Sequence, residues 1–476
     1  MPLPILSVAQ MREWESASWA AGRSEAEVIR QVGRALAVRA RALTAPGDRI
    51  LILAGKGNNG ADARAAAEHL TDRTVQVLLV TSPETELAAL DEALGRKPSL
   101  VVDGLFGIGL NRPLAEPWMR FIQRVNEAHR PVLAVDVPSG LNADTGETYG
   151  AAIEAALTLT VGAPKRGLLQ PAAWPFVGRL EVTGDVGLVP CPLRSELNWT
   201  VAEDFDGFPP ARPAAAHKGT FGHLAIIAGS LGYHGAAVLA ARGAQRAQPG
   251  LITLFPHESA YHPIAGQLQA VMVRPWDAAV RLPGDFSAVL IGPGLAAPEI
   301  PEEMKATTRR LWRDALVPVI VDASALDWLP LDPVPRGAIR VITPHPGEAA
   351  RLLKTTPARV QADRLTALRD LSHRFGNTWV VLKGHQTLVG RSEGEVFVNS
   401  TGNPHLAQGG SGDVLAGLIA GLLAQPELQK DPARTVRYAV WRHGHAADAL
   451  SGWAGEGRAA RRAGWTVEDL LTQLGC

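Results

Sequence analysis

Residues 49–62 read RILILAGKGNNGAD, in which the apolar strand candidate Ile50–Ala54 passes directly into a glycine-rich loop. The loop matches the pattern GxGxxG at Gly55, Gly57 and Gly60. Glycines at these places allow backbone N–H groups to approach a phosphate at the start of a helix. The stretch therefore predicts a parallel α/β sheet whose first loop faces a ligand.

The motif alone does not distinguish between classes of dinucleotide-binding protein. A standard NAD-binding fold needs an Asp or Glu at the end of the next strand to hold the ribose. Here the next predicted strand, Val75–Val80, is followed by Thr81-Ser82-Pro83, which argues against an ordinary dehydrogenase. The adjacent Asn58 and Asn59 instead offer amide oxygens to a hard cation or to the polar edge of a ligand.

The first half of the chain alternates between short β-rich runs and alanine-rich helical segments. This rhythm builds a parallel sheet with helices on both faces. Strands are predicted at Arg49–Ala54, Val75–Val80, Ser99–Asp103, Pro131–Asp136, Ala156–Val161 and Arg179–Thr183. Helices are predicted at Val8–Ala21, Glu25–Leu43, Ala61–Thr71, Glu84–Leu94 and Ala115–Ala128.

Acids end two of these strands. Asp103 ends one and Asp136 another, with Ser139 shortly after the second. A single Asp at a strand end is usually a turn or helix cap. Parallel strands, however, end at the same edge of a sheet, where ligands bind. We therefore expect Asn59, Asp103, Asp136 and Ser139 to lie together in one site.

Three phrases at this edge resemble the NAD(P)H-hydrate epimerase family in order and spacing. They are Gly-Asn-Asn-Gly-x-Asp at 57–62, Val-Asp-Gly-Leu-Phe-Gly-Ile-Gly-Leu at 102–110, and Val-Asp-Val-Pro-Ser-Gly-Leu-Asn-Ala-Asp-Thr-Gly at 135–146. The resemblance covers about residues 8–189. It implies that this part of the chain interconverts the R and S hydrates of NADH and NADPH.

The epimerase resemblance also implies roles for individual residues. A potassium ion would be held by Asn59, Asp103 and Ser139. Asp136 would be the acid/base group for the epimerised carbon of the hydrated nicotinamide ring, because a carboxylate can shuttle the proton. The hydrated dinucleotide would contact Asn58, Asn59, Gly60, Ala61, Asp62, Gly107, Ile108, Gly109, Leu110, Asn111, Arg112 and Pro113.

The chain departs from the epimerase pattern at Ala61 and Ala63, where the family has glycine, and at Val28–Gly33. Alanine at position 61 is costly if the residue needs a positive φ and favourable if the residue is already helical.

The second half begins after a change in composition. Residues 185–218 are rich in proline and have little periodicity, which predicts an interdomain connection or a loosely packed lid. A second α/β rhythm follows. Its strands are predicted at His223–Ala228, Leu251–Phe255, Ala288–Ile291, Pro318–Val321, Arg340–Thr343, Trp379–Leu382 and Glu395–Val398.

The glycine-rich segment 402–413 precedes an apolar helix predicted at Val414–Leu423. Backbone N–H groups of such a loop form an anion hole that the helix dipole reinforces. Asp413 on its own is compatible with a plain helix-stabilising acid. The phrase Gly-Gly-Ser-Gly-Asp at 409–413 resembles the anion hole and catalytic base of the ribokinase-like superfamily, in which the Asp deprotonates the hydroxyl that attacks a phosphoryl group.

Three further segments, with the glycine loop, resemble the ADP-dependent NAD(P)H-hydrate dehydratase family over about residues 216–454. They are Ile-Gly-Pro-Gly-Leu at 291–295, Val-Asp-Ala-Ser-Ala-Leu at 321–326 and Pro-His-Pro-Gly-Glu at 344–348. The resemblance implies substrate contacts from Ala236, Ala237, Gly294, His345 and Asp413. It implies nucleotide contacts from Lys383, Gly384, His385, Gln386, Thr387, Gly409, Gly410, Ser411 and Gly412.

The implied dehydratase chemistry starts from a poor leaving group. Hydroxide leaves the hydrated ring slowly at neutral pH. Transfer of a phosphoryl group from ADP to the hydroxyl, followed by loss of phosphate, would restore NAD(P)H and yield AMP. Asp413 would be the base for that hydroxyl, and Mg²⁺ is expected to bridge the phosphates.

The predicted fold is α/β, with two tandem domains: an N-terminal Rossmann-like parallel-sheet domain at 1–200 and a C-terminal ribokinase-like domain at 201–476.

The 476 residues carry 47 basic and 47 acidic side chains, which argues against binding to nucleic acid or a membrane surface. The two cysteines, Cys191 and Cys476, exclude a disulfide framework, and no apolar run reaches membrane-spanning length. We expect a cytoplasmic homo-oligomer whose partners are the small molecules NADHX and NADPHX.

Two alternatives stay open at this stage. One is a ribokinase-like kinase of a small alcohol with a binding domain attached, which leaves the Pro-His-Pro-Gly-Glu segment unexplained. The other keeps the dehydratase but makes the first domain a non-catalytic binding or assembly module, as Ala61, Ala63 and Val28–Gly33 suggest.

Overall fold

The computed structural model describes residues 2–277, 280, 282–331, 334–335, 337–452 and 464–475. Leu3–Ser195 form one compact unit, and Glu196 begins the second. No helix of the described chain is long and apolar enough to cross a membrane. Cys191 is a free thiol, while Cys476 lies outside the described residues.

The first unit is built on a wholly parallel sheet. Its sheet has the order β3-β2-β4-β5-β6-β7, so the chain winds outward in both directions from β2 and β4. The strands of this unit are β1 (Leu3–Pro4), β2 (Arg49–Ala54), β3 (Thr74–Leu79), β4 (Leu100–Gly104), β5 (Val132–Val135), β6 (Leu157–Val161) and β7 (Arg179–Thr183). Its helices are α1 (Val8–Ala20), α2 (Glu25–Leu43), α3 (Asn58–Glu68), α4 (Pro83–Gly95), α5 (Glu116–Glu127) and α6 (Trp174–Val177).

Burial explains why these strands form. The central strands β2, β4 and β5 are apolar runs with nearly every residue buried, as expected for a sheet covered on both faces. The amphipathic helix α5 places Phe121, Ile122 and Val125 in the core on one face. The sheet edge formed by the carboxyl ends of β2, β4, β5 and β6 is therefore held rigidly, and the predicted site residues follow these ends.

The second unit has a larger, mostly parallel sheet. Its described strands follow the order β8-β17-β16-β15-β14-β13-β12-β9-β10-β11, and β16 alone among them runs antiparallel to its neighbours. The strands are β8 (Leu197–Trp199), β9 (His223–Ile227), β10 (Leu251–Phe255), β11 (Met272–Val273), β12 (Ala288–Ile291), β13 (Val319–Val321), β14 (Arg340–Ile342), β15 (Trp379–Leu382), β16 (Leu388–Gly390) and β17 (Val396–Val398). The helices are α7 (His234–Ala247), α8 (Tyr261–Ala265), α9 (Glu302–Asp314), α10 (Pro346–Leu353), α11 (Pro357–Ala362), α12 (Arg364–Arg374), α13 (Ser411–Leu423), α14 (Pro432–Leu450) and α15 (Val467–Leu474).

The prediction of two tandem α/β units with parallel sheets is confirmed. One interpretation is wrong in part: residues 185–218 are not simply a connection or loose lid. Leu197–Trp199 form β8, which pairs in parallel with β17 and buries Asn198 and Trp199. Three short strand residues gave too little alternation to be recognised among the flanking prolines.

Helix α13 is buried almost throughout and packs closely on α7. A Cβ on Gly417 would lie 1.9 Å from the carbonyl oxygen of Ala240, and one on Gly243 would lie 2.3 Å from that of Val414. Only glycine allows this approach of two helix backbones. The contact fixes the N-terminus of α13, where the predicted anion hole and Asp413 lie.

Candidate active sites

In the first unit, Asp136 follows β5 in a left-handed conformation with φ of +64°, which is uncommon for a non-glycine residue. Its Oδ1 accepts hydrogen bonds from Thr160 Oγ1 at 3.1 Å, from the Val161 N–H at 2.9 Å and from Lys165 Nζ. These bonds all reach one oxygen, which leaves Oδ2 for a ligand. The strained backbone and convergent donors fix this carboxylate in one orientation.

Lys165 was not predicted from the sequence. Its side chain is 1% exposed, and its ammonium also donates to Thr160 Oγ1 at 3.0 Å and to the Val161 carbonyl at 2.8 Å. Lys165 lies four residues after the end of β6, and Asp136 directly follows β5. Because the carboxyl ends of parallel strands share one edge of a sheet, this position was the sequence signal that could have identified Lys165. The two residues form a buried ion pair at the floor of the site.

A cavity of about 600 Å³ opens beside this ion pair. That volume suits a small-molecule or cofactor site. Of the predicted substrate contacts, the cavity lining includes Asn58, Asn59, Asp62, Gly107, Ile108, Gly109, Leu110, Asn111 and Arg112, and it includes Asp136. Gly60, Ala61 and Pro113 are not on the lining. Lys56 and Arg12 add positive charge to the cavity wall, and Trp118 adds an aromatic surface.

The three residues predicted to hold potassium are brought together next to the cavity. The Ser139 hydroxyl donates to Asp103 Oδ1 at 2.6 Å, and the Ser139 N–H donates to Asp103 Oδ2 at 2.8 Å. Asn59 Nδ2 donates to the carbonyl of Phe106 at 2.8 Å, while the Phe106 N–H donates to Ser139 Oγ at 2.8 Å. A carboxylate, a hydroxyl and a carbonyl oxygen thus lie close together, with the Asn59 amide bound beside them.

Asp103 is 0% exposed, and burial raises its pKa to about 6 although hydrogen bonds from Ser139 and Leu105 oppose this. In the described chain its partners are N–H and O–H donors without a cationic side chain. A buried carboxylate with hydrogen bonds but no counter-charge, surrounded by other oxygens, fits a monovalent cation.

Helix α3 begins at Asn58, three residues earlier than predicted. Gly57 is its N-cap in an extended conformation, so Asn58, Asn59 and Gly60 belong to the first turn instead of to a loop. Ala61 is therefore helical, and its replacement of the family's glycine carries no conformational cost. Ala63 is buried, and a Cβ on Gly104 would lie 2.4 Å from its Cβ, so β4 and α3 pack closely.

Asp413 in the second unit lies in the first turn of α13, after Gly410 with φ of +95°. Burial, followed by the negative charge of Asp322, raises the Asp413 pKa to about 7. The Ser411 N–H donates to the Gln408 carbonyl at 3.3 Å. A basic carboxylate beside a helix N-terminus suits the predicted deprotonation of a hydroxyl.

Lys383 follows β15 and lies among three acids. Its Nζ is 2.9 Å from Asp322 Oδ1 and 3.8 Å from Glu348 Oε2. Burial alone would lower the Lys383 pKa, but Asp322, Glu348 and Asp413 outweigh it and raise the pKa. A Cβ on Gly412 would be 3.4 Å from this ammonium, so the cation stands directly beside the glycine loop.

Buried side chains hold the predicted nucleotide segment, residues 383–387, in shape. Arg364 donates to the carbonyls of His385 at 2.7 Å and Leu382 at 3.0 Å. Gly384 and Gln386 have positive φ angles, and Thr387 Oγ1 donates to the Gly384 carbonyl at 3.1 Å. The segment is thus a preorganised turn that a positioning arginine supports, and Arg364 was not predicted.

The predicted substrate contacts of the second unit fall into two groups. Ala236 and Gly294 meet, because a Cβ on Gly294 would lie 3.1 Å from Ala236 Cβ, and Ala237 is fully buried behind them. His345 is the N-cap of α10: Nδ1 accepts from the Gly347 N–H at 3.0 Å. Its side chain is 53% exposed and its Nε2 lies 3.6 Å from Glu348 Oε1, so the ring caps the helix and stays accessible beside that carboxylate.

A histidine missed by the sequence analysis supports the glycine loop from behind. His443 on α14 is buried, and its Nε2 lies 3.1 Å from the Ser411 carbonyl. Burial lowers its pKa to about 4, so the ring is neutral and donates to that carbonyl. Among the described residues, no cluster of three or more His, Cys, Asp or Glu side chains is placed to hold a metal.

Two family models match the chain. The model described as NAD(P)H-hydrate dehydratase matches residues 224–466, and that described as YjeF-related protein N-terminus matches residues 20–94 and 80–167. A crystallised ADP/ATP-dependent NAD(P)H-hydrate dehydratase from Bacillus subtilis, with ATP and Mg²⁺, is 31% identical and covers 56% of this chain and 91% of its own, with a TM-score of 0.48.

Relatives that match over almost the whole length have one description. The bifunctional NAD(P)H-hydrate repair enzyme Nnr of Gloeobacter violaceus is 39% identical over 94% of this chain and 93% of its own. The protein of the same name from Escherichia coli is 33% identical over 84% of this chain and 80% of its own. The chain therefore belongs to the family of bifunctional NAD(P)H-hydrate repair enzymes.

Proposed function

We propose that this protein repairs hydrated NADH and NADPH in two steps. The N-terminal domain, 1–200, epimerises the R and S hydrates, and the C-terminal domain, 201–476, uses ADP to dehydrate the S form, releasing AMP and phosphate. The observation that carries the proposal is the presence on one chain of an oriented carboxylate in a cavity large enough for a ligand and a carboxylate at a glycine-rich helix N-terminus.

In the first site, Asp136 is the acid/base group at the hydroxyl-bearing ring carbon. Lys165 neutralises its charge and, with Thr160, fixes its orientation. Asn58, Asp62 and residues 107–112 surround the dinucleotide, and the cations Arg12, Lys56 and Arg112 are available to its phosphates.

Asn59, Asp103 and Ser139 would hold a potassium ion through their oxygens, together with the Phe106 carbonyl. The ion would supply a fixed positive charge that compensates Asp103 and stiffens the loop at Phe106 against the substrate. The buried carboxylate without a cationic partner in the described chain supports this assignment.

In the second site, Asp413 takes the proton of the substrate hydroxyl, whose oxygen then attacks the terminal phosphorus of ADP. The N–H groups of residues 409–412 and the Lys383 ammonium stabilise the charge on the transferred phosphoryl group. His345, Gly294, Ala236 and Ala237 contact the substrate. Phosphate, a far better leaving group than hydroxide, then leaves the ring carbon as the nitrogen lone pair forms a C=N bond. Loss of a proton from the neighbouring carbon returns that electron pair to nitrogen and forms the C=C bond of NAD(P)H.

Mg²⁺ would supply positive charge to balance that of the nucleotide phosphates. Residues 383–387 receive the nucleotide, because Arg364 holds their backbone in a fixed turn beside Lys383.

The kinase alternative is not favoured, because full-length relatives share both halves of the chain under one description. The non-catalytic alternative for the first domain rested on Ala61, Ala63 and Val28–Gly33. Ala61 lies within α3 and Ala63 packs on β4, so these residues are compatible with an intact site.

Purified S-NADHX incubated with ADP tests the dehydratase proposal. We expect one NADH, one AMP and one phosphate for each hydrate consumed, with loss of all three products in Asp413→Asn. A complete lack of ADP-dependent conversion of the hydrate would support the kinase alternative. The homo-oligomer, the cytoplasmic location and the border near residue 200 stay predictions.

A further inference from the structure

Asp62 is a carboxylate that the assigned chemistry does not use. Its side chain extends from α3 and lines the same cavity as Asp136, yet the residue is only 9% exposed. Within the described chain, its carboxylate takes part in no hydrogen bond or ion pair. An ionisable side chain that is mostly buried, lines a cavity and has no protein partner is available to a ligand.

The charges that face Asp62 come from several elements. Asp136 follows β5, Glu15 is on α1, and Glu25 is on α2, while Lys165 follows β6. The Lys165 ammonium is already occupied by Asp136, Thr160 and Val161. Arg12, Lys56 and Arg112 line the same cavity, but in the described chain none of them forms an ion pair with Asp62, which therefore has no cation of its own.

These surroundings favour the neutral acid. Burial, followed by the charges of Asp136, Glu15 and Glu25, raises the Asp62 pKa to about 8, although Lys165 opposes this. Asp136, in contrast, is ion-paired with Lys165. The cavity thus holds a carboxyl group with a raised pKa and, separately, a carboxylate paired with a buried ammonium, which is the combination that acid–base chemistry needs.

We propose that Asp62 is the second acid–base residue of the epimerase and acts with Asp136 on opposite faces of the hydroxyl-bearing ring carbon. This inference rests on the proposed epimerase function, and it changes Asp62 from a binding contact into a catalytic residue. Asp136 alone would assist proton transfer on one face of the ring, whereas a second acid–base group would also assist the loss or addition of water on the opposite face.

The proposed steps balance as follows. The Asp62 carboxyl gives its proton to the hydroxyl, the C–O bond breaks with its electron pair on oxygen, and water leaves. The lone pair of the adjacent ring nitrogen forms a C=N bond. A water then attacks the opposite face, the C=N pair returns to nitrogen, and Asp136 takes the surplus proton. In the reverse direction the two residues exchange roles.

The full-length bifunctional enzyme provides the assay. With an R and S mixture and excess ADP, the S form gives a fast phase of NADH formation through the dehydratase site, and the R form gives a slow phase limited by epimerisation. We expect Asp62→Asn to leave the rate of the fast phase unchanged. The rate of the slow phase should fall roughly 100-fold or more, while the KM for the R hydrate stays within about threefold of the wild-type value. Asp62→Glu keeps a carboxyl group and should retain more of the slow phase than Asp62→Asn.

Glu68→Gln is the matched control, since it makes the same chemical change on an exposed residue of the same helix. It should leave both phases unchanged. The rate of the wild-type slow phase should also fall above a pH of about 8, where Asp62 loses its proton. The residual slow phase of Asp62→Asn should not show this fall at high pH.

The outcomes separate this inference from the proposal on which it rests. If Asp62→Asn changed the KM of epimerisation but not its kcat, Asp62 would be a binding residue only and the inference would be overturned. If Asp136→Asn nevertheless abolished the slow phase, the epimerase assignment would stand. If neither variant slowed conversion of the R form, both would be wrong.

Discussion

The Lys165 ammonium is buried against the Asp136 carboxylate, and both side chains are almost inaccessible, with exposed fractions of 1% and 11%. Removing one partner from such a pair leaves the other charge buried without compensation. We expect Lys165→Met to destabilise the first unit by about 3–5 kcal/mol and to suppress conversion of the R hydrate. Chemical denaturation and the two-phase assay measure these effects.

A double variant separates stability from chemistry in this prediction. Lys165→Met combined with Asp136→Asn removes both charges, so most of the lost stability should return while epimerisation stays suppressed. Unchanged unfolding and unchanged R conversion in Lys165→Met would show that the pair is not important.

The potassium proposal has a readout that does not depend on activity. Because Asp103 is a buried carboxylate, a bound cation should stabilise the first unit. We expect the melting temperature to be higher in potassium chloride than in choline chloride of equal ionic strength, and we expect Asp103→Asn to lose that difference. An equal potassium effect in the variant would place the ion elsewhere.

The pKa of Asp413 predicts the pH dependence of dehydration. The base must be ionised to accept a proton, and its pKa is raised to about 7. The rate with S-NADHX and ADP should therefore rise with pH through about 7 and then level off. Asp413→Asn should lower the rate about 10²–10⁴-fold and remove the inflection. A variant with near-normal rates and the same inflection would contradict the assignment of the base.

Gly33 on α2 marks the close approach of that helix to α3. A Cβ on Gly33 would lie 2.5 Å from Ala65 Cβ. We expect Gly33→Ala to destabilise the first unit by about 1–3 kcal/mol, measured by calorimetry. Gly95→Ala is the control, because an added Cβ on this α4 residue meets nothing within 4 Å. Equal melting curves for the two variants would refute close packing at Gly33.

The sequence predicted that Asn59, Asp103 and Asp136 would lie at one edge of the first sheet, because these residues follow or end parallel strands. Asp103 belongs to β4, Asp136 follows β5, and Asn59 follows β2, so topology alone brings them together. The residue at which the loop after Gly57 becomes helix α3 could not be predicted from the sequence. Glycine and asparagine permit both a loop and the helical turn that the structure has.

The missed residues act through contacts that have no local pattern. Lys165, Arg364 and His443 are buried polar side chains whose partners lie 29, 21 and 32 residues away in Asp136, His385 and Ser411. The position of Lys165 shortly after β6 places it at the edge of the sheet, but a single sequence does not indicate which residues pair. For His345 the sequence predicted a substrate contact, which stays a prediction, and the structure adds a helix-capping role that the prediction did not include.

The most direct test of the two-step repair is recovery of dihydronicotinamide absorbance from a mixture of R- and S-NADHX, with ADP and without nucleotide, in potassium and magnesium. With ADP, the wild-type protein should convert the whole mixture faster than uncatalysed epimerisation allows, and Asp136→Asn should stop once the S form is consumed. Wild-type conversion that stops at the same point would contradict the epimerase. Conversion that is independent of nucleotide would contradict the dehydratase mechanism.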